Sequence, residues 1–412
     1  MFKGLNTVTY SVSDIENAKK WYGEVFGVEP IMDTSMAVIF LIGETALGLI
    51  PATGKTADCD HRVIPYWNSD DIESDYERLL QLGAVKHTEI GDTPGGKAAS
   101  VIDPFGNILG MSSRVSGANT KTVEEQPSET AMGTAAARAA AFHDEREEIR
   151  GPDYLAEIFL SEDMKGLLDT PKLLQSIIAQ RMPGMYEYLI ARTAYFDDVF
   201  KRALRENISQ IVFLGSGYDT RPYRFKDLIR DTRLFDLDIH TTQDRKLELL
   251  RRNQIDIPEQ LTFVPINFNT QSLKDVLLNA GFKKNKTNLF IWEGVTYYLD
   301  SQAVDNTFDF VKSNSSTEST ICFDYSAIWP KMWDAYGVKT LIEAMQTSHA
   351  GEPARFSIER GTLESFLSDR GYSILEHLSA DEMESKYLSL EDGSIAGKII
   401  AIFCFAYASL NC

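Results

Sequence analysis

The stretch Ile211-Val-Phe-Leu-Gly-Ser-Gly-Tyr-Asp-Thr-Arg221 decides the fold. An apolar run typical of a buried strand leads directly into Gly-Ser-Gly, and a turn of polar residues follows. Strand, glycine turn and helix is the order by which α/β proteins bring backbone close to a nucleotide-like ligand. The stretch therefore predicts a ligand site at the carboxyl end of a parallel strand.

The next predicted strand, Leu234-Phe-Asp-Leu-Asp238, ends on acids. A carboxylate at such a strand end can accept both hydroxyl hydrogens of a ribose diol. Thr220 stands where a dinucleotide fingerprint has its third glycine, which disfavours a pyrophosphate cradle. A nucleoside without phosphates fits better, and S-adenosylmethionine is the common one.

Length and composition indicate a globular protein of two or three domains. The chain has 412 residues, of which 43% are hydrophobic and 25% charged, as is ordinary for globular proteins. The formal net charge of −19 disfavours nucleic acid and anionic membranes as partners and is compatible with a cationic ligand. We expect a small-molecule substrate.

The cysteines and the apolar runs predict a reduced, cytoplasmic location. None of the four cysteines has metal-ligand spacing, and nothing in their pattern suggests a disulfide framework. The N-terminus opens directly into a strand pattern, so no signal peptide is expected. The longest apolar run, from Ile399 to Leu410, is too short to span a bilayer.

The first 114 residues contain an internal repeat. Two helices begin at Ser-Asp pairs and stop at Gly27 and Gly83, as N-caps and C-caps require. An extended run precedes each helix, and strand pairs follow it. The predicted pattern is β-α-β-β-β, twice.

Val12-Ser-Asp-Ile-Glu16, Pro65-Tyr-Trp67 and Asp103-Pro-Phe-Gly-Asn107 carry a resemblance to the vicinal oxygen chelate superfamily, the glyoxalase/bleomycin-resistance fold. The resemblance covers residues 1–114 and implies an α+β module. Enzymes of that superfamily bind a metal through His and Glu, but the matching positions here hold Thr7, Ile64 and Gly110. We interpret the module as a degenerate one that encloses substrate, binds an apolar ligand or mediates a homodimer, without metal chemistry of its own.

Residues 115–129 are polar and aperiodic and are predicted to form a linker. An alanine-rich helix from Thr130 to about Ile149 and further helices follow. Strands then alternate with long crossovers, as a doubly wound parallel sheet requires. They are predicted at 210–214, 234–238, 262–267, 288–293 and 320–325, with a closing pair at 372–377 and 398–409.

Residues 130–412 resemble the leucine carboxyl methyltransferase family. The motifs that carry this resemblance are Thr134-Ala-Ala-Ala-Arg-Ala139, Ile190-Ala-Arg-Thr-Ala-Tyr-Phe-Asp-Asp198, Leu214-Gly-Ser-Gly-Tyr-Asp-Thr-Arg221, Phe235-Asp-Leu-Asp238, Trp292-Glu-Gly-Val-Thr-Tyr-Tyr-Leu299 and Gly351-Glu-Pro-Ala-Arg-Phe356. The expected fold is a class I methyltransferase, that is, a Rossmann-like, doubly wound α/β sheet whose last strand is antiparallel.

The resemblance implies a role for each site residue. Arg192 is expected to pair with the carboxylate of the methionine moiety. Gly215 and Gly217, which have no side chains, are expected to let the protein backbone approach that moiety closely. Asp238 is expected to hold the ribose hydroxyls, with Asp236 as the alternative. The remaining expected cofactor residues are Asn267 and Phe268, which flank adenine, and Glu293, which faces the cofactor. The family usually has Asp where Asn267 stands. Asp219 and Arg221 are interpreted as a local pair that braces the glycine turn.

The acceptor is less constrained by the sequence. A chelate-fold module attached to this methyltransferase resembles bacterial α-keto acid C-methyltransferases, including those that act on guanidino keto acids. Such chemistry requires an enolate, which a divalent metal such as zinc or iron would stabilise. We interpret Asp324 and His349 as its ligands and as catalytic residues, with His240 as a third candidate. The alternatives are O-methylation of a small carboxylic acid and a non-catalytic, ligand-sequestering protein.

Overall fold

A computed structural model describes residues 7–30, 32–33, 38–42, 45–51, 64–69, 71–93, 96–114, 122–166, 168, 171–342 and 354–411. The chain divides into two compact units, Met1–Gly117 and Ala118–Cys412. No helix within the described ranges is both long and apolar enough to cross a membrane.

The first unit contains the predicted repeat. Each half places one helix among four strands, and each half forms its own four-stranded sheet. The first half comprises β1 (Thr7–Val12), α1 (Ile15–Phe26), β2 (Met32–Asp33), β3 (Val38–Ile42) and β4 (Thr45–Pro51), in the sheet order β1-β4-β3-β2. The second half comprises β5 (Tyr66–Asn68), α2 (Ile72–Gln81), β6 (Val85–Thr93), β7 (Gly96–Ile102) and β8 (Ile108–Arg114), in the sheet order β5-β8-β7-β6. The identical strand order of the two sheets confirms the repeat.

The predicted caps bound both helices of this unit. The side chains of Asp14 and Asp71 accept hydrogen bonds from backbone amides in the first turns of α1 and α2. Gly27 ends α1 in the left-handed conformation, with φ of 65°, which costs a glycine little. Short-range sequence signals were therefore sufficient to place these two helices.

The second unit opens with four helices. They are α3 (Glu129–Phe142), α4 (Glu162–Gly166), α5 (Pro171–Arg181) and α6 (Met185–Arg205). α3 ends seven residues earlier than the predicted Ile149, because the chain folds back after Phe142. Gly151 then donates its backbone N–H to Ala141 at 2.8 Å, and this return contact would be lost if the helix continued.

Among the described residues, the sheet of the second unit has eight strands, of which seven follow the order β11-β10-β9-β12-β13-β16-β15. The first five of these strands pair in parallel, and β16 runs antiparallel to both of its neighbours. The strands are β9 (Gln210–Leu214), β10 (Arg233–Asp238), β11 (Leu261–Pro265), β12 (Asn288–Trp292), β13 (Thr320–Ile328), β14 (Ile358–Glu359), which pairs with the end of β13, β15 (Tyr372–Leu378) and β16 (Phe403–Leu410). The helices between them are α7 (Arg221–Arg224), α8 (His240–Arg252), α9 (Leu273–Asn279), α10 (Ser301–Asn314), α11 (Leu363–Ser368) and α12 (Ala380–Tyr387).

Both faces of this sheet are buried. Along β9, Ile211 and Phe213 belong to one apolar cluster, whereas Val212 and Leu214 belong to another. The alternation follows from the period of two in a strand, and full burial on both faces is typical of parallel strands covered by helices. Each such side chain contributes about 1.5–3 kcal/mol by leaving water, so this central strand is held rigidly where it enters the glycine turn.

The last strand begins later than predicted. Lys398 was expected to start it, but Ile400 and Ala401 donate their backbone N–H groups to the carbonyls of Gly184 and Tyr336 instead. These acceptors lie in loops far away in the sequence, which local apolarity cannot reveal. The strand proper starts at Phe403.

Candidate functional site

A cavity of about 250 Å³ lies at the carboxyl ends of β9, β10, β11 and β12. β9 lies between β10 and β12, so the crossovers leave it in opposite directions and open a crevice there. The cavity brings together all the residues predicted to bind the cofactor, namely Arg192, Gly215, Gly217, Asp238, Asn267, Phe268 and Glu293.

The glycine turn after β9 is fastened to the end of β10. The backbone N–H groups of Gly215 and Ser216 both donate to the carbonyl oxygen of Leu237, at 2.9 and 2.8 Å. Gly215 and Gly217 have φ of 74° and 49°, a region that other residues avoid. A Cβ on Gly215 would lie 2.5 Å from Cγ2 of Val295. The turn therefore requires glycine for its conformation and for its close packing.

Asp238 presents its carboxylate to the cavity. One oxygen accepts the N–H of Gly217 at 2.5 Å, and the other accepts the N–H of Ile239 at 2.7 Å. Burial raises the pKa of Asp238 to about 6, against the lowering effect of these two bonds. Because a carboxylate offers about four lone-pair positions, it can still accept two ribose hydroxyls.

The carboxylate of Asp236, the alternative ribose ligand, is engaged in bonds within the protein. Its side chain is fully buried, and one oxygen lies 2.6 Å from Nζ of Lys246. The other oxygen accepts the hydroxyl of Ser216 at 2.5 Å. Asp236 is therefore a structural anchor of the turn, and Asp238 is the acid that the cavity exposes.

The pKa of Asp238 predicts a pH dependence of cofactor binding. Ribose hydroxyls need the ionised carboxylate as acceptor, so affinity should be nearly complete about one pH unit above this pKa and fall as the pH drops through about 6. Between pH 7.5 and pH 5 we expect roughly a tenfold loss, since one pH unit below a pKa leaves about a tenth of the group ionised. Calorimetric titration with S-adenosylhomocysteine at several pH values measures this loss. An Asp238→Asn variant should bind weakly at every pH, and an equal pH dependence in that variant would assign the effect to another group.

Arg192, on α6, is a buried residue of the cavity wall and lies between two acids. Its Nε is 3.0 Å from Oε1 of Glu293, and its Nη1 is 3.3 Å from Oδ2 of Asp324. Nη1 also lies 3.4 Å from the hydroxyl of Tyr297. These neighbours hold the pKa of Arg192 well above its usual value, although burial opposes them. The guanidinium is thus permanently charged and fixed in place.

Arg192 belongs to a buried chain of ion pairs that extends from Asp324. Glu293 bridges Arg192 and Arg221, whose Nη1 lies 2.7 Å from Oε2 of Glu293. Arg221 also pairs with Asp219, as predicted, at 2.6 Å. The chain continues through Asp197, Arg224 and Asp153 to Arg138. Sequence reasoning missed the link between Arg221 and Glu293, because only the fold brings the turn after β9 next to the end of β12.

Asp324 does not fit the predicted metal site. Its side chain is fully buried beneath Arg192 and does not line the cavity. One oxygen accepts the backbone N–H of Gly294 at 2.6 Å, and the other accepts the hydroxyl of Tyr188 at 2.5 Å. The second oxygen also faces the Arg192 guanidinium, whose positive charge would repel a metal ion. Asp324 therefore positions Arg192 and Gly294 rather than coordinating a metal.

Of the other predicted metal ligands, only His240 lies within the described residues. His240 is exposed at the start of α8 and is not part of the cavity lining. His349 lies outside the described residues. Among the residues that the structure describes, no three His, Cys, Asp or Glu side chains are grouped to hold a metal ion. We therefore derive no catalytic step through a metal.

In the first unit, the sequence placed Gly110 at a metal-ligand position. A Cβ at Gly110 would lie 2.8 Å from the ring of Tyr66 and 3.0 Å from Ile64. The space for a ligating side chain at this position is thus filled by the neighbouring strand. Thr7 lies on β1, and the absence of metal chemistry in this unit stays a prediction.

Comparison with known proteins places a different family on each unit. Residues 131–312 match the family Leucine carboxyl methyltransferase, and residues 4–111 match the Glyoxalase/Bleomycin resistance protein/Dioxygenase superfamily. Each match falls within one of the two compact units.

Several curated relatives match the second unit. "Putative S-adenosyl-L-methionine-dependent methyltransferase YktD" of Bacillus subtilis is 32% identical over 48% of this chain and 66% of its own length. A "Putative S-adenosyl-L-methionine-dependent methyltransferase" of Mycobacterium marinum is 30% identical over 48% of this chain and 65% of its own length. One from Mycobacterium avium is 28% identical over 64% of this chain and 84% of its own length. The chain thus spans just under two thirds of the first two relatives.

Proposed function

We propose that this chain is an S-adenosylmethionine-dependent methyltransferase that acts on a small anionic acceptor. The observation that carries the proposal is the cavity itself, where a glycine turn, the carboxylate of Asp238 and the Arg192–Glu293 pair converge at the carboxyl ends of adjacent strands. The family match over residues 131–312 and the names of the relatives support it. The α/β architecture of the second unit, with its antiparallel β16, supports the class I methyltransferase fold that the sequence resemblance implies.

The residues of the cavity fit the parts of this cofactor. Asp238 is suited to the ribose diol, and Ile239 and Phe268 offer apolar surface for the adenine ring. Arg192 and Glu293 both line the cavity, and they form an ion pair with Nε of Arg192 3.0 Å from Oε1 of Glu293. A guanidinium and a carboxylate side by side in the lining suit the carboxylate and the ammonium of a methionine moiety.

When bound, the cofactor supplies a sulfonium-linked methyl group. The acceptor's electron pair forms the new bond to carbon as the carbon–sulfur bond breaks, and both electrons of that bond leave with sulfur as a neutral thioether. The protein must then mainly bind and orient the acceptor and exclude water. This requirement agrees with a cavity that contains ion pairs and hydroxyls rather than a catalytic triad.

The charge of the cavity favours an anionic acceptor. Among the described lining residues, four arginines (Arg138, Arg192, Arg221 and Arg355) balance four acids (Glu124, Asp219, Asp238 and Glu293). The cofactor carries two positive groups and one negative group, so the occupied cavity has a net charge of about +1. A carboxylate would be attracted to it, and Arg355, the exposed one of these four arginines, is the candidate that we propose for pairing with that group.

The methylated atom separates two versions of this proposal. A carboxylate oxygen needs no base, whereas the β-carbon of an α-keto acid must first lose a proton. Asp324 is engaged with Arg192 and Tyr188 and gives no support to a metal-assisted enolate. We therefore favour O-methylation of a small carboxylic acid and keep C-methylation of an α-keto acid as the second candidate, on the strength of the attached glyoxalase-like unit.

An assay with methyl-labelled cofactor tests the proposal. Carboxylic acids and α-keto acids are screened with the full chain, and a labelled product that alkali hydrolyses identifies an ester. A stable product, with exchange of the substrate's β-hydrogens in deuterated water, would instead identify C-methylation. Tight cofactor binding without any transfer across the screen would favour a ligand-sequestering protein.

Arg355 provides a sharper prediction for the acceptor. Arg355→Gln should raise KM for the acceptor roughly tenfold, as expected for the loss of one charge-assisted hydrogen bond, with a small effect on kcat. Arg360→Gln, at another exposed arginine that does not line the cavity, is the control. Equal KM values for the two variants would remove Arg355 from the acceptor site.

A further inference from the structure

The end of the cavity near Asn267 and Phe268, where adenine is expected, contains residues that were predicted to belong to a linker. Thr122, Val123 and Glu124 fall within the predicted linker, yet they line the cavity together with Asn267 and Phe268. They belong to the second compact unit, Ala118–Cys412. This segment therefore contributes side chains to the proposed cofactor site.

The segment is fastened beside the ribose ligand. The hydroxyl of Thr241 donates to the carbonyl oxygen of Val123, and the hydroxyl of Thr242 accepts the backbone N–H of Ser128 at 3.0 Å. Both threonines lie in the first turn of α8, directly after Asp238. Two anchors of this kind fix the position of Glu124 relative to Asp238.

Asn267 is oriented by these contacts. Its Nδ2 donates to Oε1 of Glu124 at 2.8 Å, and its Oδ1 accepts the backbone N–H of Asn269 at 3.0 Å. The amide oxygen is thus turned towards its own loop, and the amide nitrogen is turned towards the carboxylate. An adenine amine approaching this edge needs an acceptor, which Glu124 presents and Asn267 does not.

Glu124 is also kept ionised. A hydrogen bond from Thr122, with further contributions from Asn267 and the positive charge of Arg355, lowers the pKa of Glu124 against the opposing effect of burial. A charged acceptor forms a stronger hydrogen bond to an amine than a neutral amide does.

We propose that Glu124 is the residue that recognises the exocyclic amine of the adenine base, an inference that rests on the proposed function. Asn267 acts as a positioning residue that holds the Glu124 carboxylate at the edge of the base. The adenine specificity of the site then depends on the segment 122–128 rather than on the strand end alone. In a base with a carbonyl group in place of the amine, the carbonyl oxygen would lie against a carboxylate oxygen of Glu124. Because neither oxygen can donate a hydrogen bond, we expect such a base to bind weakly.

The test compares S-adenosylhomocysteine with its deaminated analogue, S-inosylhomocysteine, by calorimetric titration of the full chain. The wild type should prefer the adenine compound. Glu124→Ala should lose roughly tenfold in affinity for it, the fold-change of one charge-assisted hydrogen bond, and the preference should shrink by the same factor. Adding Asn267→Asp to Glu124→Ala returns a carboxylate to this edge and should restore most of the preference. Glu259→Ala, at an exposed acid before β11, is the matched control and should behave as the wild type.

Each outcome is decisive. Unchanged preference in Glu124→Ala would overturn the assignment, as would an equal loss of affinity for both compounds, which would mark Glu124 as merely structural. Failure of the double variant to regain preference would also contradict it. If the wild type binds neither compound, the proposed cofactor site itself fails, and this result is distinct from the others.

Discussion

Replacing Asp238 with alanine should lower the affinity for S-adenosylhomocysteine by roughly 100-fold or more. Hydrogen bonds to a charged group contribute about 1.5–3 kcal/mol each, so the loss of two ribose bonds corresponds to roughly 3 kcal/mol at least. The N–H groups of Gly217 and Ile239 would also lose their shared acceptor. The glycine turn would then be less well ordered for the ligand.

Equilibrium titration of the folded variant measures this effect. Asp244→Ala is the matched control, because Asp244 is exposed on α8 a few residues away, and it should bind as the wild type does. A folded Asp238→Ala variant that binds within a few-fold of Asp244→Ala would remove Asp238 from the ribose site.

Replacing Gly215 with alanine should cost both stability and binding. A left-handed conformation costs a residue with a Cβ about 1–2 kcal/mol, and overpacking adds about 1–3 kcal/mol, because the new Cβ would lie 2.5 Å from Cγ2 of Val295. We therefore expect a loss of roughly 2–5 kcal/mol in the free energy of unfolding, with cofactor binding abolished or nearly so. Chemical denaturation and titration measure the two losses.

Two further variants separate backbone strain from the clash. Gly281→Ala introduces a Cβ at another positive φ, 92°, but meets nothing within 4 Å, so it reports the conformational cost alone. Val295→Ala combined with Gly215→Ala removes the clashing methyl groups and should recover part of the stability. Equal losses for Gly215→Ala and Gly281→Ala would show that close packing against Val295 is unimportant.

Residues whose roles depend on local order could be predicted from the sequence. Gly215, Gly217 and Asp238 follow directly from an apolar strand, because the carboxyl end of a buried parallel strand is where the chain meets a ligand. The two capped helices and the repeat in the first unit could be predicted for the same reason, because caps and periodicity are short-range signals in the sequence. Such features need no knowledge of which distant elements come together.

Asp324 shows where this reasoning ends. An acid at the end of a strand has the same sequence pattern whether it faces a ligand or a buried arginine. Its hydroxyl partner, Tyr188, is 136 residues away in the sequence, and its guanidinium partner lies on the same distant helix. Only the tertiary structure shows that the Asp324 carboxylate is fully engaged in hydrogen bonds and an ion pair within the protein.

The segment 122–128 shows the opposite error. It is polar and aperiodic, and those properties predict a linker. Yet its contacts with Thr241, Thr242 and Asn267 place it on the cavity. Long-range hydrogen bonds of this kind leave no periodic signal, so Glu124 could not be assigned to the site from the sequence.

Titration of the full chain with S-adenosylhomocysteine and, separately, with NAD⁺ tests the central claim most directly. The account predicts saturable binding of S-adenosylhomocysteine at one site per chain and no measurable binding of NAD⁺, because the turn after β9 has Thr220 in place of a third glycine and lacks a pyrophosphate cradle. Binding of NAD⁺ in preference, or no binding of S-adenosylhomocysteine to the folded protein, would contradict it.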